Sequence, residues 1–542
     1  MHSVATTPFP DQKPGTAGLR KKVSLFQQPN YLANFLQAVF NAAGDFNGAT
    51  LIAGGDGRYW NREALEILLA VAAGNGVGRV VTGRGGLLST PAASNLIRLR
   101  RAAGGFLLTA SHNPGGPGGD FGVKFDTSNG GQAPESLTDA VYREASALAS
   151  YRTVDLPSPN LDALGTQRLG PLTLEVVDPV ADYGELMERL FDFDRIHELL
   201  SGGQFRLRYD AMNAITGPYA AEIIERRLGA PPGTVVNAQP LPDFGGMHPD
   251  PNPVDAAHLV ELMSGPGAPD MAAASDGDGD RNMIVGRGFF VSPGDSLAVL
   301  AAHADRVPGY KRGLAGVARS MPTSRAIDRV ARELGIPCYE TPTGWRYFCN
   351  LLDAGMVDLC GEESFGTSSS HAREKDGLWA VLFWLNLLAA TGRSVSELVE
   401  EHWRQYGRHA FARHDWFIPD VDRARRLMDR LEADLESLAG LSVAGARVAA
   451  ADSFTYRDPV DGSVSAHQGV RMFLDEGSRM VYRLSGTGTE GATLRIYLER
   501  YIAPEADHAG GGPELTEDLG GAAADLARIN ELTGVAAPAS VI

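Results

Sequence analysis

The sequence predicts an α/β protein that contains several similar strand–helix units. Residues 51–56 form a short apolar run that ends in a turn, residues 63–73 have helical spacing, and another apolar run begins at Val80. The same order of strand and helix recurs twice, at residues 205–209 and 220–228 and at residues 314–320 and 324–334. Such alternation is typical of parallel or mixed sheets covered by helices. Its recurrence indicates three related units.

Length and composition agree with this prediction and exclude some partners. A chain of 542 residues is too long for one core and should divide into about three or four domains. Its hydrophobic content of 44% and charged content of 21% are those of an ordinary soluble globular protein. The net charge of −17 argues against a nucleic acid or an anionic membrane as partner.

The cellular compartment is predicted from the cysteines and the apolar segments. Cys338, Cys349 and Cys360 are odd in number and widely spaced, which is typical of free or buried thiols in a reducing compartment. Residues 1–14 lack the apolar centre of a signal peptide. The most apolar stretch, residues 378–390, is too short to span a bilayer and predicts a buried helix. A cytoplasmic protein is therefore expected.

Ser111 lies in the loop Thr-Ala-Ser-His-Asn-Pro-Gly-Gly at residues 109–116. The apolar residues 106–108 before it predict a buried strand, and the Gly, Pro and Asn residues after it require a turn. We therefore expect the Ser111 hydroxyl at the end of a strand, where it can face a cleft. Taken alone, the pattern fits an ordinary turn better than a reactive serine.

A second loop, Asp-Gly-Asp-Gly-Asp-Arg at residues 276–281, predicts a site for a divalent cation. Alternate carboxylates of an extended chain point to one side and repel one another unless a cation lies among them. Their oxygens suit Mg²⁺, Mn²⁺ or Ca²⁺. A helix-loop-helix calcium site would need Gly and Glu where this chain has Arg281 and Arg287, so that alternative is rejected.

Two further loops offer groups for a phosphorylated, hydroxyl-rich ligand. Residues 360–366, Cys-Gly-Glu-Glu-Ser-Phe-Gly, present adjacent acceptors and donors. Residues 483–491, beginning Arg-Leu-Ser-Gly-Thr, combine a guanidinium with hydroxyls and glycines, which can form a concave anion site. The second loop lacks the lysine and the spacing of a P-loop, so a nucleoside triphosphatase is not expected.

In their order along the chain, these four loops resemble those of the α-D-phosphohexomutase superfamily, and within it the phosphoglucomutase family. Members carry a TASHNP phosphoserine loop, a DGDGDR metal loop, a GEES-type sugar loop and an RxSGT phosphate loop, and all four stand here between Ser111 and Thr489. Shorter matches lie at residues 15–20, 119–125, 341–345 and 373–377. The resemblance covers nearly the whole chain and is weakest after about residue 503.

The resemblance implies a fold and a domain division. It implies three similar α/β domains with mixed sheets and a smaller C-terminal α+β domain, arranged around a central cleft. We expect these domains at residues 1–190, 191–298, 299–405 and 406–542. Within the last, Leu515, Leu519, Leu526 and Ile529 have the spacing of a final amphipathic helix.

The resemblance also implies an activity, that of an intramolecular phosphotransferase of the isomerase class. Such an enzyme interconverts α-D-glucose 1-phosphate and glucose 6-phosphate through a phosphoserine and a glucose 1,6-bisphosphate intermediate, which is also its activator. One Mg²⁺ per subunit, hexose phosphates as the small-molecule partners, and a monomer or small homo-oligomer are expected.

Roles for individual residues follow from the same resemblance. Ser111 would carry the phosphoryl group and ligate Mg²⁺ together with Asp276, Asp278 and Asp280. Lys124 or His112 would handle the proton of the attacking hydroxyl, with Lys124 preferred. The substrate would be bound by Arg20, Thr16, Arg281, Thr343, Glu362, Ser364, Lys375, Arg483, Ser485, Gly486 and Thr487. Because the chain is acidic overall, its cationic side chains must converge locally on one cleft.

The sugar specificity is predicted from the loop at residues 360–366. Phe365 and Gly366 follow Ser364, whereas mannose-accepting relatives and glucosamine mutases resemble a pattern with Gly-His there, so glucose is favoured. An extended loop would turn Glu362 and Ser364 to the same side, towards the sugar hydroxyls O3 and O4. Phosphomannomutase, phosphoglucosamine mutase, a Mg²⁺-dependent phosphatase and a catalytically silent sugar-phosphate binder stay open as alternatives.

Overall fold

The protein is described from a computed structural model that covers residues 1–485 and 491–542. Its first sheet has seven strands, and the neighbouring strands Thr50–Gly55 and Arg79–Gly83 near its centre are parallel to each other. In spatial order the strands are Leu19–Lys22, Asp120–Thr127, Gly104–Leu108, Thr50–Gly55, Arg79–Gly83, Leu172–Val177 and Gly165–Leu169. Helices cover this sheet at Val23–Phe26, Tyr31–Ala43, Asn61–Gly74, Thr90–Leu99 and Glu135–Ala145. A small ribbon pairs His2–Ala5 with Ser150–Thr153.

The second and third units repeat this design with smaller mixed sheets. The second sheet has the order Val235–Val236, Leu207–Asp210, Met271–Ala274, Met283–Gly286 and Phe289–Phe290. Its helices are Ala181–Leu190, Phe193–Ser201, Thr216–Ala220 with a π-helical continuation at Ala221–Arg227, and Ala257–Ser264. The third sheet has the order Cys338–Thr341, Val317–Ser320, Leu359–Glu362 and Gly366–Ser369. Its helices are Pro293–Ala302, Ala326–Leu334, Arg346–Asp353, Gly377–Thr391 and Val395–Tyr406.

The fourth unit differs because its seven-stranded sheet is antiparallel. The strands lie in the order Ser442–Val443, Ala446–Ser453, Val470–Leu474, Arg479–Ser485, Ala492–Ile502, Arg408–Ile418 and Ser540–Val541. The helices are Val421–Ala433, Leu435–Leu438, Gly512–Leu515, Glu517–Leu526 and Ile529–Thr533. The predicted final helix is divided: Leu519 and Leu526 lie in Glu517–Leu526, whereas Leu515 ends the preceding short helix and Ile529 begins another after Arg528, which has a φ of 51°. The predicted class, three mixed-sheet α/β units and a C-terminal α+β unit, is confirmed.

The helix predicted from the apolar residues 378–390 is confirmed as a core element. In helix Gly377–Thr391 every residue from Gly377 to Leu388 is buried, and it packs in the largest apolar cluster of the protein. Within the described ranges, no single helix is long and apolar enough to cross a bilayer; this helix and Val395–Tyr406 meet that test only as a pair bent by 84°.

The fourth unit is anchored to the third by a buried arginine. Arg479 donates to the carbonyl oxygens of Met321 and Thr323, both at 2.8 Å, and pairs with Glu499 within its own sheet. Backbone carbonyls are strong acceptors for a charged donor. This contact fixes the position of strand Arg479–Ser485, and therefore of Arg483, relative to the third sheet.

Candidate active site

Ser111 lies three residues after the buried strand Gly104–Leu108, as the sequence predicts for the end of a strand. Its side chain is only 1% exposed, and its φ of 51° is unusual for a residue with a Cβ atom. The Oγ atom donates a hydrogen bond of 2.7 Å to Oδ2 of Asp276 and lies 3.4 Å from Nδ1 of His112. The serine loop and the aspartate loop are therefore in direct contact.

A buried arginine holds the serine loop in this strained shape. Arg58 donates to the backbone oxygen of Ser111 at 2.7 Å and to that of Asp120 at 2.9 Å. Its own charge is paired with Asp56, which also accepts a hydrogen bond from Thr109. Strained backbone persists only where the surroundings fix it. Arg58 supplies that constraint at Ser111.

The three aspartates of residues 276–280 converge, although the loop is not extended. The chain turns after strand Met271–Ala274, and Gly279 adopts a φ of 79°. One oxygen from each of Asp276, Asp278 and Asp280 lies within 4.8 Å of the others. The prediction that the carboxylates share one side is confirmed, but the reason given for it was wrong, because a tight turn and not strand alternation brings them together.

The aspartate cluster has the donor set and the unsatisfied acceptor that a hard divalent cation requires. All three side chains are buried, and Oδ1 of Asp278 has no hydrogen-bond partner in the described part of the chain. Burial and the charges of Asp280 and Asp278 raise the pKa of Asp276 well above its usual range. A cation among the carboxylates would remove that repulsion, and oxygen ligands suit Mg²⁺. The residues therefore fit a divalent metal.

Lys124 adjoins this cluster as a permanent cation. Its Nζ lies 2.7 Å from Oδ2 of Asp278 and 3.5 Å from Oδ2 of Asp280. Burial by itself would lower the pKa of Lys124, but the carboxylates of Asp278 and Asp280 outweigh it and raise that pKa above its ordinary value. Thr90 adds a hydrogen bond of 2.7 Å to the same oxygen of Asp278.

His112 is surrounded by positive charge. Burial and the charges of Arg281 and Arg20 lower the pKa of His112 well below its ordinary value, with His248 and Lys375 acting in the same direction. The imidazole is therefore neutral at physiological pH. An acidic chain can bind an anionic ligand only where its cationic side chains converge. Arg20, Arg281 and Lys375 converge in this way near His112.

Each of these three cations is tied to a polar partner. Arg281 pairs with Asp250 at 3.1 Å, and Lys375 pairs with Asp280 at 3.2 Å. Arg20 donates to Oδ1 of Asn113, in the serine loop, at 3.4 Å. Guanidinium and ammonium groups that are held close together in this way can bind a phosphate.

The predicted sugar loop is a tight hairpin turn, so the expectation of an extended loop is wrong. Strands Leu359–Glu362 and Gly366–Ser369 pair directly, and Phe365 between them has a φ of 66°. Glu362 accepts a hydrogen bond of 2.9 Å from the backbone N–H of Gly344. Ser364 lies in the turn and is partly exposed. The side chains of Glu362 and Ser364 therefore cannot be assigned to the same side by the alternation of an extended strand.

The loop at residues 341–345 brings the first and third units together. A Cβ atom on Gly344 would lie 3.6 Å from the side chain of Thr16, so the two loops are in contact. The hydroxyl of Thr343 is buried and has no hydrogen-bond partner among the residues that the structure describes. Its hydrogen-bonding capacity is therefore unused within these residues.

The phosphate loop is described only in part. Arg483 and Ser485 lie at the end of strand Arg479–Ser485, and Arg483 lines a pocket of about 520 Å³ with His467 and Glu432. Gly486 and Thr487 fall outside the described residues. Burial and the charge of Glu363 raise the pKa of the Tyr497 hydroxyl, and the charge of Arg483 acts in the opposite direction.

Several polar residues of the site were not identified from the sequence. Arg495 stands opposite Arg483 in the sheet register, and Asp415 lies next to Arg495 on the following strand. The sequence does contain a signal for Arg495. Polar residues alternate there with Leu494 and Ile496, and such alternation predicts a strand with one polar face. Arg58 and Thr90 carried no such signal, since both act through contacts distant in sequence.

A glycine at the contact between the serine and aspartate loops allows a sharp test of their approach. A Cβ atom on Gly277 would lie 2.3 Å from the backbone oxygen of Ser111. We expect Gly277→Ala to push the loops apart and destabilise the protein by about 1–3 kcal/mol. Gly118→Ala is the control, because a Cβ there meets nothing within 4 Å. Thermal unfolding and turnover of both variants would be measured, and equal behaviour would contradict the described contact.

Comparison with known proteins agrees with this geometry along nearly the whole chain. Family models match in four successive segments: phosphoglucomutase/phosphomannomutase α/β/α domain I at residues 11–152, domain II at residues 181–288, domain III at residues 293–406, and the phosphoglucomutase-1 C-terminal domain at residues 408–539. The segments fall in the order of the four sheets.

Individual relatives are similar over nearly their full length. A phosphoglucomutase of Rhizobium radiobacter is 56% identical over 94% of each chain, and the chloroplastic phosphoglucomutase 1 of Marchantia polymorpha is 50% identical over 99% of this chain and 84% of its own. The crystal structure of Paramecium parafusin, a phosphoglucomutase in its open form, superposes with a TM-score of 0.91 at 44% identity over 100% of this chain and 99% of that one. The chain belongs to the phosphoglucomutase/phosphomannomutase family.

Proposed function

We propose that this protein interconverts α-D-glucose 1-phosphate and glucose 6-phosphate, with Ser111 as the phosphoryl carrier and glucose 1,6-bisphosphate as the intermediate. The observation that supports it most is the hydrogen bond between Ser111 Oγ and Asp276, which joins a nucleophilic hydroxyl to a buried carboxylate cluster. A serine that carries the phosphoryl group divides one difficult transfer into two steps. In each step one sugar hydroxyl takes the group or returns it.

Asp276, Asp278, Asp280 and the Ser111 oxygen would hold the Mg²⁺ ion. When bound there, Mg²⁺ neutralises charge on the phosphoryl group that moves. The support is the convergence of three buried carboxylates and the unpartnered oxygen of Asp278. Among Mg²⁺, Mn²⁺ and Ca²⁺, Mg²⁺ is proposed because few protein oxygens are present and this ion retains water or phosphate ligands.

Lys124 and His112 would divide the proton transfers according to their charges. The attacking sugar hydroxyl loses a proton, and Ser111 Oγ regains one when it releases the phosphoryl group. Lys124 is an ammonium in ion-pair contact with Asp278, whereas His112 is neutral and lies next to Ser111 Oγ. A neutral imidazole can accept a proton directly, but Lys124 must first give one up. This difference favours His112 over Lys124 as the initial acceptor.

The phosphate that is not being transferred would be held away from Ser111 by cationic and hydroxyl groups of several units. The proposed groups are Arg20, Thr16, Thr343, Lys375, Arg483, Ser485, Gly486 and Thr487, whereas Arg281 would act with Mg²⁺ on the phosphoryl group that moves. Because both phosphates of the bisphosphate are bound, the sugar can be held in either orientation, with either its 1-phosphate or its 6-phosphate at Ser111. Closure of the cleft would also exclude water, which would otherwise hydrolyse the phosphoserine.

Sugar specificity tests the roles of Glu362 and Ser364. If both address O3 and O4, mannose 1-phosphate should be converted about tenfold more slowly than glucose 1-phosphate, because only O2 differs. Galactose 1-phosphate, inverted at O4, should be slower by on the order of 10³-fold or more. The measurement is kcat/KM for the three sugars with glucose 1,6-bisphosphate present.

The matched variants for this test are neighbours in sequence. Glu362→Gln should reduce the ratio of kcat/KM for glucose 1-phosphate to that for galactose 1-phosphate, because the carboxylate that binds O4 is absent. Glu363→Gln is the control, because the Glu363 carboxylate accepts from Ser320 and Thr323 within the third unit. Equal turnover of galactose and mannose 1-phosphates by the wild type would refute the assignment. Release of inorganic phosphate without isomerisation would favour the phosphatase alternative.

Location and assembly stay predictions. Relatives from Populus tremula and Arabidopsis thaliana at 47% identity are named cytoplasmic, and others of similar identity are named chloroplastic. We infer a cytoplasmic protein that acts as a monomer or small homo-oligomer, without nucleic-acid or membrane partners. Fractionation and light scattering would test this.

A further inference from the structure

Asp126 and Glu374 form a second buried carboxyl pair, separate from the aspartate loop. Asp126 lies on strand Asp120–Thr127, two residues after Lys124, and Glu374 directly precedes Lys375. Both side chains are 0% exposed, and Gln132 connects them, because its backbone forms a β-bridge with Asp126 and its side chain donates to Glu374. The pair therefore joins the first and third units next to the two lysines of the site.

Most of the carboxyl oxygens of this pair accept no hydrogen bond. Gln132 donates to Oε2 of Glu374 at 3.0 Å. In the described ranges, neither oxygen of Asp126 nor Oε1 of Glu374 has a hydrogen-bond donor. An ionised carboxylate can only accept, so two carboxyl groups in contact need a proton on one of them. A single proton would satisfy both partners.

The surrounding charges also favour one retained proton. The groups that face the pair are Lys124, Lys375, Asp278, Asp280 and the thiol of Cys349. Both lysines have their close ion-pair contacts with Asp278 and Asp280 instead of with the pair. Burial and the adjacent Glu374 raise the pKa of Asp126 well above its usual range, and burial raises that of Glu374 to about 7. Two like charges at such a site cannot both be ionised at low cost.

We propose that Asp126 and Glu374 share one proton and act as positioning residues for Lys124 and Lys375. With one negative charge in all, the pair leaves both ammonium groups directed at Asp278 and Asp280. Loss of the shared proton would add a second negative charge beside both lysines and draw them away from the aspartate loop. The effect on turnover rests on the proposed function, whereas the shared proton itself does not.

Infrared spectroscopy tests the proton without any assay of activity. Asp126→Asn is nearly isosteric and supplies an amide N–H to Glu374, so the shared proton is no longer needed. At neutral pH the wild type minus this variant should show the carbonyl band of one protonated carboxylic acid. Glu374→Gln should remove the same band. The double variant Asp126→Asn/Glu374→Gln should lack that one band and no other, because the two residues share a single proton. A difference spectrum without that band would overturn the proposal.

The pH dependence of stability gives a second measurement. Folding raises the pKa of the pair, so the native state binds more protons than the unfolded chain up to about pH 7. The stability that the pair contributes is present at low pH and is lost as the pH rises through about 7. From about pH 5 to about pH 8 the unfolding midpoint of Asp126→Asn should therefore rise relative to wild type, by about 1–3 °C.

A control and a kinetic measurement complete the test. Asp139→Asn removes an exposed carboxylate from the same unit and should track the wild type at every pH. In turnover, kcat of the wild type should decline above neutral pH more than that of Asp126→Asn. If the infrared band is present and no variant isomerises sugar phosphates, the proposed function fails and the shared proton stands. If isomerisation is normal and the band is absent, the proposal fails alone.

Discussion

Ser111→Ala is expected to lower kcat for glucose 1-phosphate by on the order of 10³-fold or more. The alanine variant has no oxygen to carry the phosphoryl group, so the transfer loses its two-step route. Binding of sugar phosphate should persist, because the cationic groups near His112 are unchanged. The measurement combines coupled-assay kinetics with a binding titration of glucose 1-phosphate. Retained binding without turnover would separate the role of the hydroxyl from a loss of fold.

The phosphate carried by the protein as purified provides an independent check of the same residue. A fraction of wild-type molecules should carry one phosphate, and peptide mapping should locate it at residues 109–116. Ser128→Ala is a suitable control, because Ser128 is exposed in a turn of the same unit and should leave phosphate and activity intact. Full activity in Ser111→Ala, or phosphate on another residue, would refute the assignment.

Local patterns predicted the elements of the fold well. The strands expected near residues 51–56 and 314–320 are Thr50–Gly55 and Val317–Ser320, and the helix expected at residues 63–73 is Asn61–Gly74. Apolar spacing determines such elements because each buries one face or one stripe against its neighbours. The α+β class of the fourth unit was implied by family resemblance alone, and its antiparallel sheet was not predicted, because long-range strand pairing leaves little local signal.

Loop shape was the weaker part of the prediction. The aspartate and sugar loops were both treated as extended, yet Gly279 and Phe365 have positive φ values and make tight turns. For the aspartates the conclusion survived, since residue type decides what a cluster of carboxylates can bind. For Glu362 and Ser364 the geometric argument did not survive, and their assignment now depends on the family motif and on the contact of Glu362 with Gly344.

Contacts between distant parts of the chain could not be predicted from one sequence. Arg58 reaches the Ser111 carbonyl, Thr90 reaches Asp278, and Asp126 meets Glu374. Each pair unites residues of different loops or units, and no periodicity records which of them will meet. The motifs supplied the reacting groups, whereas the structure was needed to identify the residues that hold them in place.

Asp278→Asn is expected to lower turnover by on the order of 10²–10³-fold at low Mg²⁺ concentration. The amide keeps the size of the side chain but removes one of three ligand charges, so the cation is held less tightly. The variant should regain part of its activity as Mg²⁺ is raised. Asp305→Asn, at an exposed aspartate of the third unit, is the control and should show wild-type dependence on Mg²⁺.

Recovery of Asp278→Asn should remain partial, because Asp278 has two partners. Its Oδ2 also pairs with Lys124 and accepts from Thr90, and excess Mg²⁺ cannot replace either contact. Chelation of the wild type removes the cation but leaves those contacts, so re-added Mg²⁺ should restore its activity fully. Ca²⁺ should restore less activity than Mg²⁺, because it binds its ligands in a looser geometry and neutralises their charge less effectively. Activity that is indifferent to a chelator would refute the metal role of this loop, and full recovery of the variant would show that Lys124 does not depend on Asp278.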